Sequence, residues 1–188
     1  MRFKVGLGLI VASALACSAP AYAADVAAQR AELKKMCDEA LGMLYKAKPE
    51  MKAEVSKAPG YGCFSSFGVS FIIGGAGGRG LVHDNQTKKD TYMGMGQATA
   101  GVDIGIKDYR EVLVFNDRAT MTKFIDSGWE FAGSAEASAA VAGKGGTAAK
   151  GESIGKKPPI EVYPMTRTGL SAGVAAGGRK YWKDKDLN

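Results

Sequence analysis

The sequence predicts an α+β fold: a glycine-rich, mostly antiparallel sheet that is curved or barrel-like, an N-terminal helix and one or two short helices. Three observations support this prediction. Apolar side chains recur with helical spacing in residues 24–57, apolar and polar positions alternate in residues 94–107, and most of the 26 glycines lie at or after Gly60. Because glycine weakens a flat strand, such strands indicate coiling and bulges, or a backbone on which a ligand lies directly.

The N-terminal helix is predicted from a single apolar face, opposite a charged one. Its members are spaced three or four positions apart: Leu33, Met36, Cys37, Ala40, Leu41 and Leu44. Pro49 is expected to end or bend this helix. The stripe favours packing against the sheet, although a helix that lies on a bilayer surface has a similar pattern.

The remaining elements are predicted from short apolar runs between turn residues. A short helix is expected after Asn116 or Asp117, with its end at Gly128, and turns are expected at Asp84-Asn85 and Gly177-Gly178. The predicted strands besides 94–107 are Val69–Ile73, Gly80–His83, Asp90–Met95, Glu111–Phe115, Ile160–Met165, Leu170–Ala176 and Lys180–Lys183.

The first residues are typical of a secretory signal peptide. Met1–Lys4 is basic, Val5–Ala16 is apolar but shorter than the ~20 residues that span a bilayer, and Ala21-Tyr22-Ala23 is a small-x-small cleavage pattern. The sequence therefore predicts a signal peptide over residues 1–23, a single domain over residues 24–188, and a secreted protein.

The cysteines add two alternatives. Ala14-Leu15-Ala16-Cys17 is close to a lipoprotein signal, and a lipid on Cys17 would anchor the protein to a membrane. Cys37 and Cys63 are a disulfide candidate in an oxidising compartment; two small buried thiols are the other interpretation.

Charge is unevenly distributed along the chain. The formal net charge is +6, and residues 143–188 alone hold nine basic and four acidic side chains. A basic segment of this kind indicates an anionic partner, such as phospholipid headgroups, nucleic acid or acidic glycans. A merely solvated surface is the alternative.

Motifs for enzymatic chemistry are weak. Gly75–Gly80 matches G-x-G-x-x-G, but a strand and a turn follow it where a dinucleotide site needs a helix. His83 is the single histidine, so no two-histidine metal spacing exists and no catalytic set is evident. Asn85-Gln86-Thr87 matches the N-glycosylation string. The prediction is therefore a protein without enzymatic activity, cofactor or metal site.

A set of segments in a fixed order resembles the SYLF lipid-binding domain in its secreted bacterial form, over about residues 30–188. The segments are Gly60–Ser65, Gly74–Gly80, Gly94–Lys107, Asp108–Phe115, Gly128–Ala137, Thr168–Gly173 and Lys180–Asn188. The resemblance implies a glycine-rich mixed domain with no known catalysis. Eukaryotic relatives bind phosphoinositides, some members bind actin, and bacterial members are described as lipid-binding or lipoprotein-like. It also implies a bacterial periplasmic location.

Together these observations predict a protein that binds anionic phospholipid headgroups or a membrane surface through basic side chains, and no nucleic acid. The candidate ligands are Lys156, Lys157, Arg167, Arg179, Lys180, Lys183 and Lys185, with Lys34, Lys35 and Arg79 as further candidates. Tyr181 or Trp182 is expected at the level of the bilayer interface. The alternative is a structural or protein-interaction module of the cell envelope without direct lipid binding.

Overall fold

The computed structural model describes residues 19–71, 75–99, 108–131, 157–166, 169–170 and 177–188. These residues form three helices and eight strands, which confirms the α+β class. The helices are α1 (Ala19–Ala47), α2 (Met51–Lys57) and α3 (Arg118–Ser127). The strands are β1 (Gly60–Phe71), β2 (Gly75–Asp84), β3 (Asp90–Thr99), β4 (Asp108–Phe115), β5 (Trp129–Phe131), β6 (Ile160–Thr166), β7 (Gly169–Leu170) and β8 (Gly177–Lys183).

All eight strands belong to one antiparallel sheet in the order β5-β8-β3-β2-β1-β4-β6-β7. The central strand, β1, begins at Gly60, well before the predicted start at Val69. It was missed because a strand that is buried on both faces shows no clear alternation of apolar and polar side chains. Within the described part of the chain, β5 and β7 lie at the two ends of the order.

The two faces of the sheet carry separate hydrophobic cores. Neighbouring residues of each strand point to opposite faces, so Cys63 belongs to one core and Phe64 to the other. Helices α1 and α2 cover the first face, which we call the outer face. Met121 and Phe124 of α3 pack on the second, inner face. The molecule therefore has three layers, with the sheet in the middle.

The sheet is strongly curled, as the sequence predicts. Strands β4 and β8 are separated by β3, β2 and β1, so a flat sheet would place them about 19 Å apart at the usual strand spacing. Yet a guanidinium nitrogen of Arg179 on β8 lies 2.8 Å from a carboxylate oxygen of Glu111 on β4. The inner face is therefore concave, and the antiparallel sheet forms a half-barrel.

Several helix boundaries agree with the sequence predictions. The first helical segment ends at Ala47, just before Pro49. The Asp117 side chain caps α3 by accepting a hydrogen bond from the Thr120 backbone N–H at 2.7 Å, and Gly128 ends that helix at φ 74°. Helix α1 begins at Ala19 and includes the predicted cleavage site. Cleavage after Ala23 stays a prediction.

Two local predictions need comment. Gly177-Gly178 is not a turn: it begins β8 and pairs with Thr99 and Ala98 of β3. The turn prediction was wrong because cross-strand pairing can accommodate glycine pairs that local sequence assigns to turns. Beyond Thr99 and Leu170, the remainders of two predicted strands, 100–107 and 171–176, lie outside the described residues.

The G-x-G-x-x-G segment lies in β2, which continues to Asp84 before a turn, so a strand and not a helix follows it. In the part of the chain that the structure describes, none of the helices combines the length and apolarity that a membrane crossing requires.

The predicted disulfide between Cys37 and Cys63 is present and buried, and it ties α1 to the centre of the sheet.

Candidate functional site

Strand β8 alternates between the core and the surface. Arg179 and Tyr181 point to the inner face and are 2% and 1% exposed, whereas Lys180 and Trp182 point outward. Among the described residues, Trp182 is the one large apolar side chain left exposed, at 45%. The end of β8 therefore presents an aromatic ring beside basic side chains.

Arg179 is not a lipid ligand, and that prediction was wrong. Its guanidinium donates to a carboxylate oxygen of Glu111 at 2.8 Å, and both side chains are almost fully buried. The Tyr181 hydroxyl donates to the other Glu111 oxygen at 2.5 Å, so Tyr181 is not an interfacial residue. The parity of β8 directs these two side chains inward, where the Glu111 carboxylate compensates the buried guanidinium.

Trp182 lies on the backbone of the neighbouring strand. Gly94 pairs directly with Trp182, and a Cβ built on Gly94 would lie 2.5 Å from indole atoms Cε2 and Nε1. A Cβ built on Gly96 would lie 3.3 Å from Cζ3 and 3.4 Å from Cη2 of the same ring. The indole therefore spans both glycines and lies flat on β3.

The lysines at the end of β8 are exposed and make no close ion pair. Across the residues that the structure describes, no carboxylate lies within ion-pair distance of Lys180, Lys183 or Lys185. Lys180 lies on the same face of β8 as Trp182 and opposite Glu130 of β5, whereas Lys183 alternates to the other face. We call the surface formed by Lys180, Trp182, Lys183 and Lys185 the β8 surface.

Arg79 lies at the margin of the β8 surface. It pairs with Gly94 on the strand opposite to Trp182, and its side chain is about half exposed. Its Nη1 donates to the Gln29 side chain of α1 at 2.7 Å, and its Nε lies 3.6 Å from a carboxylate oxygen of Asp184. Its charge is therefore only partly available to an external anion.

The other predicted basic residues lie elsewhere or are not described. Lys34 of α1 lies 3.0 Å from an Asp90 carboxylate oxygen, and that hydrogen bond raises the pKa of Lys34. Lys157, just before β6, lies 2.7 Å from Glu54 of α2, and four strands separate β6 from β8 in the sheet order. Lys35 is exposed on α1. The predicted ligands Lys156 and Arg167 lie outside the described residues.

The segment after β8 folds back onto the sheet, which the sequence analysis did not anticipate. Leu187 is buried in the outer core, and the Arg30 side chain of α1 donates to its carbonyl oxygen at 2.9 Å. The Asn188 side chain accepts from the Tyr92 backbone N–H at 3.0 Å. These contacts fix the path of the chain around Lys185; no local signal in Asp184–Asn188 predicts them.

The glycosylation string has a structural role in this fold. The Asn85 side-chain amide donates to the carbonyl oxygens of Val55 at 2.7 Å and Ala58 at 2.9 Å. It thereby joins the β2–β3 turn to the end of α2.

The domain thus combines a three-layer α+β fold with an exposed basic and aromatic surface at the end of β8. Residues 96–188 match the model of the family Ysc84, described as Las17-binding protein actin regulator. The chain is also 33% identical over 158 residues to Beta cell expansion factor A of Aeromonas veronii, covering 84% of this chain. The resemblance to the Ysc84 (SYLF) family is thereby confirmed over residues 96–188. It spans 58% of the length of that relative.

Proposed function

We propose that this protein is a secreted, non-enzymatic domain that binds anionic phospholipid headgroups through the β8 surface. One observation carries the proposal: Lys180, Lys183 and Lys185 make no ion pair with a described carboxylate and lie at the end of the strand that carries the exposed Trp182. The match to a family of binding domains supports the same interpretation.

The charges are sufficient for measurable attachment. A lysine near an anionic membrane contributes about 1 kcal/mol, so three exposed lysines together strengthen binding by roughly a hundredfold. The exposed ring of Trp182 adds an apolar contribution at the level of the headgroups. Because salt screens the first contribution and not the second, the affinity should fall with salt toward a residual value.

The proposed location is the bacterial periplasm, with cleavage after Ala23. The predicted signal peptide and the buried Cys37–Cys63 disulfide support it, because disulfides persist in oxidising compartments. Periplasmic fractionation with mass spectrometry of the N-terminus tests this part of the proposal. A mature protein that begins at Cys17 and carries a lipid would replace it with membrane anchoring.

Charge reversal tests the β8 surface. The double variant Lys180→Glu with Lys183→Glu should weaken flotation with anionic vesicles by roughly thirtyfold or more. The matched control is Lys52→Glu with Lys57→Glu on α2, which changes the net charge equally at exposed positions far from β8 in the sheet order. Equal losses in the two variants would mean that net charge, and not this surface, determines binding.

A protein-interaction module of the cell envelope is the second candidate. The description of the matched family as Las17-binding favours it, because it names binding to a protein. Under this alternative the β8 surface contacts an envelope protein and the domain does not float with vesicles. If the Lys180→Glu, Lys183→Glu variant kept both its vesicle binding and its binding to envelope proteins, the result would count against both candidates.

A further inference from the structure

We infer that Gly94 and Gly96 are positioning residues that hold the Trp182 indole parallel to the sheet beside α1, so that one face of the ring is presented to the bilayer. The inference rests on the proposed function and adds an orientation to it. The glycines themselves need not contact lipid. Their role is to keep an apolar ring beside the basic side chains.

The Trp182 ring lies directly on two glycines of β3. The contacts from Gly94 to the indole are closer than a Cβ allows, at 2.5 to 2.7 Å, and those from Gly96 are 3.3 to 3.4 Å. Any side chain at position 94 must therefore displace the ring. Since these contacts are to the end of a side chain and not to backbone, displacement moves the indole and leaves the sheet intact.

The opposite face of the Trp182 indole is open to solvent. One face of the indole lies on β3, and the remaining exposure of Trp182 is 45%, so the other face is turned to solvent. A ring in this position cannot insert edge-on like a protruding wedge. It meets a bilayer face-on, in the headgroup region where the amphipathic indole is favoured.

Charged side chains lie beside the Trp182 ring on both sides. Lys180 lies on the same face of β8 as Trp182 and pairs with Gly96, while Arg79 pairs with Gly94 from the other side. Cations thus lie on two sides of the indole, with Glu130 opposite Lys180 and Asp184 3.6 Å from Arg79. An anionic headgroup layer matches this arrangement, because it offers phosphates at the level of the cations and apolar surface just beneath them.

The neighbouring glycine provides a matched control. Gly77 of β2 pairs with Gly96 and so lies on the same outer face, yet a Cβ built on Gly77 meets nothing within 4 Å. Gly77→Ala and Gly94→Ala therefore introduce the same methyl group on neighbouring strands of one face. They differ in whether the methyl group displaces Trp182.

The experiment measures vesicle binding and Trp182 fluorescence together, on protein purified after export. The chain has two tryptophans, so Trp129→Phe leaves Trp182 as the single emitter. In that background, vesicles of phosphatidylglycerol and phosphatidylcholine are titrated at about 0.5 M salt, where the Debye length is roughly 4 Å. Thermal unfolding of each variant checks that the domain remains folded.

Gly94→Ala should lower the high-salt affinity by about tenfold, the change expected when roughly 60 Å² of apolar ring surface is no longer removed from water. It should also shift the Trp182 emission of the free protein, whereas Gly77→Ala should leave affinity and emission unchanged. Equal affinities for folded Gly94→Ala and Gly77→Ala would overturn the positioning role. If the unsubstituted protein fails to bind, the proposed function itself fails.

Discussion

Glu111 and Arg179 form a buried ion pair at 2.8 Å although three strands separate β4 from β8 in the sheet. The pair closes the concave side of the half-barrel from one strand to the other. Because Arg179 points inward, the next residues of β8 alternate out, in and out, and Lys180 and Trp182 reach the surface. The buried pair and the candidate binding surface are therefore two sides of one strand.

Removing one partner of this pair should be costly. Glu111→Gln removes a charged partner of a buried guanidinium and should lower the free energy of unfolding by about 3–5 kcal/mol. Urea unfolding followed by circular dichroism measures this loss. The double variant Glu111→Leu with Arg179→Met should recover most of it, because the buried guanidinium and the carboxylate are then removed together. A loss below about 1 kcal/mol for Glu111→Gln would show that the pair does not hold the curl.

Gly42 should be replaceable with a gain in stability. It lies within α1 on the exposed side, and a Cβ built there meets nothing within 4 Å. Because alanine is favoured over glycine in a helix interior, Gly42→Ala should raise the free energy of unfolding by about 1 kcal/mol. Gly60→Ala is the contrasting variant, since its Cβ would approach the His83 carbonyl oxygen to 2.3 Å. Destabilisation by Gly42→Ala would contradict this description of α1.

The stability of the domain should fall at acidic pH through Asp84. The bidentate hydrogen bonds from Arg118, at 2.7 and 3.1 Å, together with those from the Thr87 and Gln86 backbone N–H groups, hold the pKa of Asp84 well below its ordinary value. The unfolded chain takes up a proton near pH 3.9 and the folded one does not, so stability decreases as the pH falls through that range.

Asp84→Asn should therefore flatten the acid limb of the stability curve, with the difference from the unsubstituted protein shrinking steadily as the pH falls from about 5 to about 2. Urea midpoints between pH 2 and pH 7 provide the measurement. Parallel curves for the two proteins would show that Asp84 binds its proton equally in the folded and unfolded states.

Elements with a strong local signal were predictable. The apolar stripe of α1, the Asp117 cap and the Gly128 end of α3 all depend on residues close in sequence. Strands β2, β3 and β4 were located in part from short apolar runs between turn residues. The central strand β1 was only partly predicted, because its two buried faces remove the alternation on which the prediction depends.

The candidate site was only partly predictable, because it depends on pairing between distant strands. Composition identified Lys180, Lys183, Lys185 and Trp182 as candidates, but could not decide which side chains of β8 face the core. That choice depends on the register with β3 and on Glu111, 68 positions away from Arg179. The position of the Trp182 indole could not be predicted either, because it depends on the pairing of Trp182 with Gly94.

The most direct test of the central claim is co-flotation of the exported protein with neutral and anionic vesicles, from about 0.05 M to about 0.5 M salt. We expect flotation only with anionic vesicles. The floated fraction should fall as salt rises and level off at a residual value that depends on Trp182. Absence of flotation with either vesicle, or equal flotation with both, would contradict headgroup binding by the β8 surface.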